Sequence, residues 1–129
     1  MKVLVVEDES QMAEMLEAAL ANLGISCFLA HSADHADQLL SQHTVDAVTL
    51  DLSMPGRGGL DWLESVASSQ PELARKTLVI TGVELEADLI ERVAHCGAGV
   101  LVKPFTLETL GEAVRTQLAH PSGERRRVD

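Results

Sequence analysis

Carboxylates end two of the apolar runs in this chain. The segment VDAVTLDLSMPG (residues 45–56) passes from a hydrophobic stretch straight to Asp51 and then into a turn. KVLVV (2–6) is followed at once by Glu7, Asp8 and Glu9. Two further runs end in other polar groups, TLVI (77–80) in Thr81 and GVLV (99–102) in Lys103. Acids gathered in one place raise one another's pKa, and a divalent cation removes the conflict. A small set of oxygen ligands suits Mg2+, which keeps several waters and takes phosphate oxygens readily. A carboxylate nucleophile, a cation, an ammonium and a hydroxyl are together the equipment of phosphoryl transfer. The most economical chemistry for this set is phosphorylation of Asp51. Each residue alone has a plainer use: Asp51 as a turn cap, Glu7 and Asp8 as an acidic first helical turn, Thr81 as a β-former, Lys103 as a solvated strand end. The chemistry therefore depends on one rim bringing them together.

The surrounding pattern provides such a rim. Met12, Met15, Leu16, Ala19, Leu20 and Leu23 recur at helical spacing, with Ser10 as an N-cap and Gly24 as a stop. ISCFLA (25–30) reads as a second strand, and Ser32 caps a helix carrying Ala33, Ala36, Leu39 and Leu40. DAVTL (46–50) is the third strand. A glycine-containing loop with Gly56, Gly58 and Gly59 follows, then a helix around 60–69 that ends before Pro71. After TLVI, Leu85, Leu89 and Val93 mark a fourth helix closed by Gly97 and Gly99; after GVLV, Leu107, Leu110, Val114 and Leu118 mark a fifth. Five βα units predict an α/β fold, a doubly wound five-stranded parallel sheet of order 2-1-3-4-5, the flavodoxin-like order, with five helices. Ligands gather beyond the carboxyl ends of such strands, where the strand order reverses. The predicted domain is 1–119, with HPSGERRRVD (120–129) a linker or disordered tail.

The bulk composition narrows the function. At 129 residues the chain is about one domain. Twenty acids against ten lysines and arginines give a formal charge of −10, which argues against a nucleic-acid partner. The basic cluster Arg125–Arg127 reads as a solvated linker. Cys27 and Cys96 lack metal-ligand spacing and are expected as buried free thiols in a reducing compartment. No signal peptide or membrane span is evident, so a cytoplasmic location is expected. Met12 and Met15 are expected in the core, Trp62 packs on the third helix, and His31 and His35 read as surface residues.

The segments VVEDE (5–9), LDLSMPGRGGL (50–60), VITG (79–82) and LVKPF (101–105), in this order and spacing, resemble the receiver domain of bacterial two-component response regulators, the chemotaxis-regulator type. The resemblance covers residues 1 to about 119. It implies that Asp8 and Asp51 ligate Mg2+ directly, that the backbone carbonyl of Ser53 is a third ligand, and that Glu7 acts through a metal-bound water. It implies that Asp51 accepts a phosphoryl group from a phosphohistidine on a sensor histidine kinase or phosphotransfer protein, with Thr81 and Lys103 holding the phosphoryl oxygens. Gly82 matches a small-residue position that keeps the site open, and the Lys103–Pro104 bond is expected to be cis. The domain would be a signalling switch rather than an enzyme with a separate substrate. It would act on a C-terminal output domain or a partner, as a monomer or weak dimer. Two departures stand out. Val100 occupies the place of the usual aromatic three residues before the lysine, so the readout is expected to use another packing change. Val83, flanking the site, has no polar side-chain atom to orient a water, which suggests slow self-hydrolysis.

Two other functions fit the architecture. A phosphatase of the haloacid dehalogenase type would need a second acid two residues after its nucleophile, and here that position is Ser53. A flavodoxin-like flavin carrier would need a Ser/Thr/Gly phosphate loop after the first strand, and EDESQ there would repel phosphate.

Overall fold

The computed structural model describes residues 1–52, 58–82 and 86–119. Five parallel strands, β1 (Lys2–Val6), β2 (Ser26–Ala30), β3 (Ala47–Leu50), β4 (Thr77–Thr81) and β5 (Gly99–Val102), form one sheet in the order β2-β1-β3-β4-β5. The helices are α1 (Ser10–Ala21), α2 (Ala33–Gln42), α3 (Gly59–Ser69), α4 (Pro71–Arg75), α5 (Ala87–His95) and α6 (Leu107–Leu118). The doubly wound α/β reading and its strand order hold.

Side chains of successive strand residues point to opposite faces, which splits the aliphatic core in two. Leu4, Val6, Val48, Leu50 and Val79 face α2, α3 and α5, together with Trp62, Leu63 and Val93. Val3, Val5, Ala47, Leu78 and Ile80 face α1 and α6, with Leu16, Leu20, Leu110 and Val114. Burying strands on both faces requires apolar residues in unbroken runs, and Val3 to Val6 are at most 1% exposed. Thr49 breaks the apolar rule in β3; its buried hydroxyl has no hydrogen-bond partner among the described residues.

Several expectations need correction. There are six described helices rather than five, because the chain turns again after α3 instead of running directly into β4. Pro71 stands at the start of α4, where its missing N–H costs nothing, and Leu73 and Ala74 bury the short helix against the core. Thr77 Oγ1 donates to the Leu73 carbonyl at 2.9 Å and fastens the end of α4 to β4. Ser10 is the first residue of α1 and not its cap; Glu9 holds the cap position without a side-chain bond. Ser32 does cap α2, accepting from the His35 amide at 3.0 Å. Gly24 and Gly97 close α1 and α5 with φ of 80° and 85°, which only glycine adopts without strain. Met12 is partly buried, but Met15 is 39% exposed because it lies off the buried Ala13–Leu16–Leu20 stripe. Cys27 and Cys96 are only half-buried, and burial raises the thiol pKa of both, Cys27 to about 11. Trp62 is fully buried on α3, and its indole N–H donates to Asp37 of α2 at 2.8 Å. His31 is exposed and its amide donates to His35 Nδ1 at 3.2 Å. Among the described residues no helix is long and apolar enough to cross a membrane. The expected tail, 120–129, lies outside the described residues, as does Leu85.

Candidate functional site

Register assembles the site. Val6 of β1 lies beside Leu50 of β3, so Glu7 and Asp51 leave the sheet as neighbours. Main-chain bonds extend that alignment by one step: the Asp51 amide donates to the Val6 carbonyl at 3.0 Å, and the Glu7 amide to the Ala30 carbonyl at 2.9 Å. On the other side Thr81 of β4 pairs with Val102 of β5. The Lys103 amide donates to the Thr81 carbonyl at 2.8 Å, which places Lys103 directly beyond the edge strand. The Lys103–Pro104 bond is cis, as expected.

One carboxylate oxygen from each of Glu7, Asp8 and Asp51 can be chosen so that all three lie within 4.8 Å of one another. Glu7 and Asp51 are buried, at 2% and 7% exposure, whereas Asp8 opens to solvent. Lys103 Nζ stands 3.9 Å from Glu7 Oε1. The Glu7 carboxyl is pushed up to about 7, first by burial and then by its hydrogen bond to Asp51 and the Asp51 charge; the Glu9 amide and the Lys103 ammonium oppose the shift without cancelling it. Three acids held this close favour either a shared proton or a cation. Oxygen-only donors, one of them exposed to admit water, fit a hard divalent ion such as Mg2+.

Of the residues picked from sequence, Glu7, Asp8, Asp51 and Lys103 come together, and Thr81, 1% exposed, ends the strand between β3 and β5. Gly82 is exposed, and among the described residues a Cβ added there would meet only Lys103 Cδ at 3.7 Å, an ordinary contact. Ser53, the expected carbonyl ligand, and Val83 lie outside the described residues. Val100 is 41% exposed on the edge strand.

Gly59 was read as part of a flexible loop, but it is the first residue of α3 and is buried against Asp51. A Cβ there would stand 2.5 Å from the Asp51 carbonyl oxygen and 2.8 Å from Leu52 Cα. The only hint in the sequence was the glycine run itself, which does not say which glycine is crowded. A separate concavity of about 430 Å3 lies at the opposite end of the sheet, near Asp46, Glu72 and Lys76. It contains none of the acids gathered at the rim.

Comparisons with known proteins bear on the family and the fold. The family model described as response regulator receiver domain matches residues 3–115. The chain is 34% identical over 127 residues to "Response regulator MprA" of Mycobacterium avium, covering 96% of this chain and 54% of that protein. It is 30% identical over 123 residues to "Virulence transcriptional regulatory protein PhoP" of Salmonella typhimurium, covering 95% and 54%. The chain thus spans about half the length of these curated relatives. Among solved structures, Vibrio cholerae chemotaxis protein CheY4 superposes with a TM-score of 0.80 at 26% identity, covering 89% of this chain and 96% of that one. The non-phosphorylated HemR receiver domain of Leptospira biflexa gives 0.83 at 24% identity, covering 96% and 98%, a likeness of fold.

Proposed function

The chain belongs to the response regulator receiver domain family, and from that membership we propose that it is a phosphoacceptor switch in which Asp51 takes a phosphoryl group from a phosphohistidine. One observation carries the reading: the β1–β3 register sets Asp51 beside Glu7 and Asp8, with carboxylate oxygens from all three within 4.8 Å. Asp8 and Asp51 would hold Mg2+ directly, with the Ser53 carbonyl, and Glu7 would reach it through water. When bound, Mg2+ supplies positive charge against the phosphoryl oxygens.

In the transfer, a carboxylate oxygen of Asp51 attacks phosphorus and forms an O–P bond. The P–N bond to the donor imidazole breaks, and its electron pair returns to the ring nitrogen, which takes up a proton. Lys103 sets its ammonium toward the acids, and the transferred group would compete with Glu7 for it. Thr81 would donate its hydroxyl to a phosphoryl oxygen. The donor would be a sensor histidine kinase or a phosphotransfer protein. Residues 1–119 would form the receiver and 120–129 the connector to an output module, in keeping with relatives about twice as long. The receiver itself would be a monomer or weak dimer.

The test is incubation with Mg2+ and acetyl phosphate, read by intact mass. A single phosphoryl adduct is expected on the wild type, none after chelation and none on Asp51→Asn. Equal labelling of Asp51→Asn would overturn the reading.

A further inference from the structure

Building on the reading of Asp51 as the nucleophile, we propose that Gly59 is a positioning residue for it, because the missing side chain lets the first turn of α3 lie directly against the Asp51 carbonyl. The crowding is with backbone: the Asp51 carbonyl oxygen at 2.5 Å, Leu52 Cα at 2.8 Å and the Asp51 carbonyl carbon at 3.3 Å from a Cβ on Gly59. No rotamer change can relieve contacts with main-chain atoms. Gly59 is helical, so the requirement is for space and not for a left-handed φ. One residue earlier the situation reverses. Among the described residues a Cβ on Gly58 would meet nothing within 4 Å, and its φ of −67° suits any residue.

A side chain at 59 must displace either α3 or the chain leaving β3. The helix is the better anchored of the two. Trp62 and Leu63 are fully buried in its first turns, and Trp62 is hydrogen-bonded to Asp37 of α2. The Asp51 amide is still held by the Val6 carbonyl at 3.0 Å, but strand β3 ends at Leu50 and beyond that amide the Leu52 carbonyl meets the Gly59 amide only at 3.4 Å. The peptide between Asp51 and Leu52 therefore gives way, and the carboxylate moves relative to Glu7 and Asp8, which stay with β1. A misplacement of about 1 Å in a reacting group costs on the order of a hundredfold in rate.

Gly58→Ala and Gly59→Ala in the whole chain test the assignment. Labelling by acetyl phosphate is timed at saturating Mg2+, and Mg2+ affinity is measured by isothermal titration calorimetry. Gly59→Ala should label roughly ten- to a hundredfold more slowly per folded molecule and bind Mg2+ more weakly. Gly58→Ala should match the wild type in both. A role in stability alone would lower the unfolding midpoint of Gly59→Ala and leave the rate per folded molecule unchanged, which overturns the assignment. Should Gly59→Ala fold poorly, all variants are compared in trimethylamine N-oxide, which favours the folded chain. Labelling within twofold of Gly58→Ala there overturns the proposal equally. A wild type that takes no label, or an Asp51→Asn chain that does, rejects the reading of Asp51 itself; that failure is distinguishable because it does not depend on residue 59.

Discussion

The two sides of the rim are held very differently. Glu7 and Asp51 leave strands sealed on both faces, with Val3 to Val6, Val48 and Leu50 at most 1% exposed. On the far side β5 is an edge strand whose Val100 and Val102 are 41% and 49% exposed. Of the nine residues of α5 only Val93 is buried, and Ile90 is 49% exposed. The side chain of Arg92 binds α5 to α3, reaching Glu64 at 2.6 and 3.0 Å and Asp61 at 3.8 Å, all on the surface. A nucleophile must not wander, whereas a surface that answers a change of charge must be cheap to move. Segments with little buried apolar area open at low free energy. On the proposed reading the acceptor Asp51 would sit on the rigid side, Lys103 would reach in from beyond β5, and α5 and β5 would be the elements that yield, without the usual aromatic at position 100.

The largest effect should come from attacking the rigid side. Leu50→Ala is expected to lower stability by about 2–5 kcal/mol, while Val100→Ala should stay within about 0.5 kcal/mol, both measured by urea unfolding. Equal losses would erase the contrast between the two sides.

Acidity should produce a smaller, directional effect on the same rigid side. Folding lifts the Glu7 carboxyl from an ordinary 4.5 to about 7, so the folded chain binds a proton that the unfolded chain releases. The associated stability is complete below pH 4.5 and is lost as pH rises through 7. With chelator present, the urea midpoint should therefore fall across this window, and Glu7→Gln should flatten the trend. Mg2+ should restore stability most at the alkaline end, where it no longer competes with the proton. A midpoint slope unaltered by Glu7→Gln would assign the acidity to another group.

The smallest effect belongs to the loose side. Arg92→Gln removes a solvent-exposed ion pair, so amide exchange in α5 should quicken by only about two- to fivefold, with α1 unchanged. Exchange in α5 as slow as before would mean that burial of Val93 alone holds the helix.

The element pattern was legible because burial on both faces demands continuous aliphatic runs, and KVLVV, DAVTL, TLVI and GVLV supply them. Asp51 stood out because an acid ended such a run, and strand order then predicted its neighbours Glu7 and Asp8. The short helix α4 was missed because five residues give no periodicity to count, and Pro71 read as a stop when it is also a start. Met15 was misplaced because helical spacing identifies a stripe and not its width.

Residue type and order by themselves determined the sheet, its winding and the set of polar groups at its rim, since hydrophobic periodicity is a local property of the chain. What only the tertiary structure decided is distance: that Gly59 lies against the Asp51 backbone, how deeply Glu7 is buried beside Asp51, and that Arg92 reaches Glu64. Those depend on how helices pack on strands remote in sequence, and no local pattern records the gap left between them.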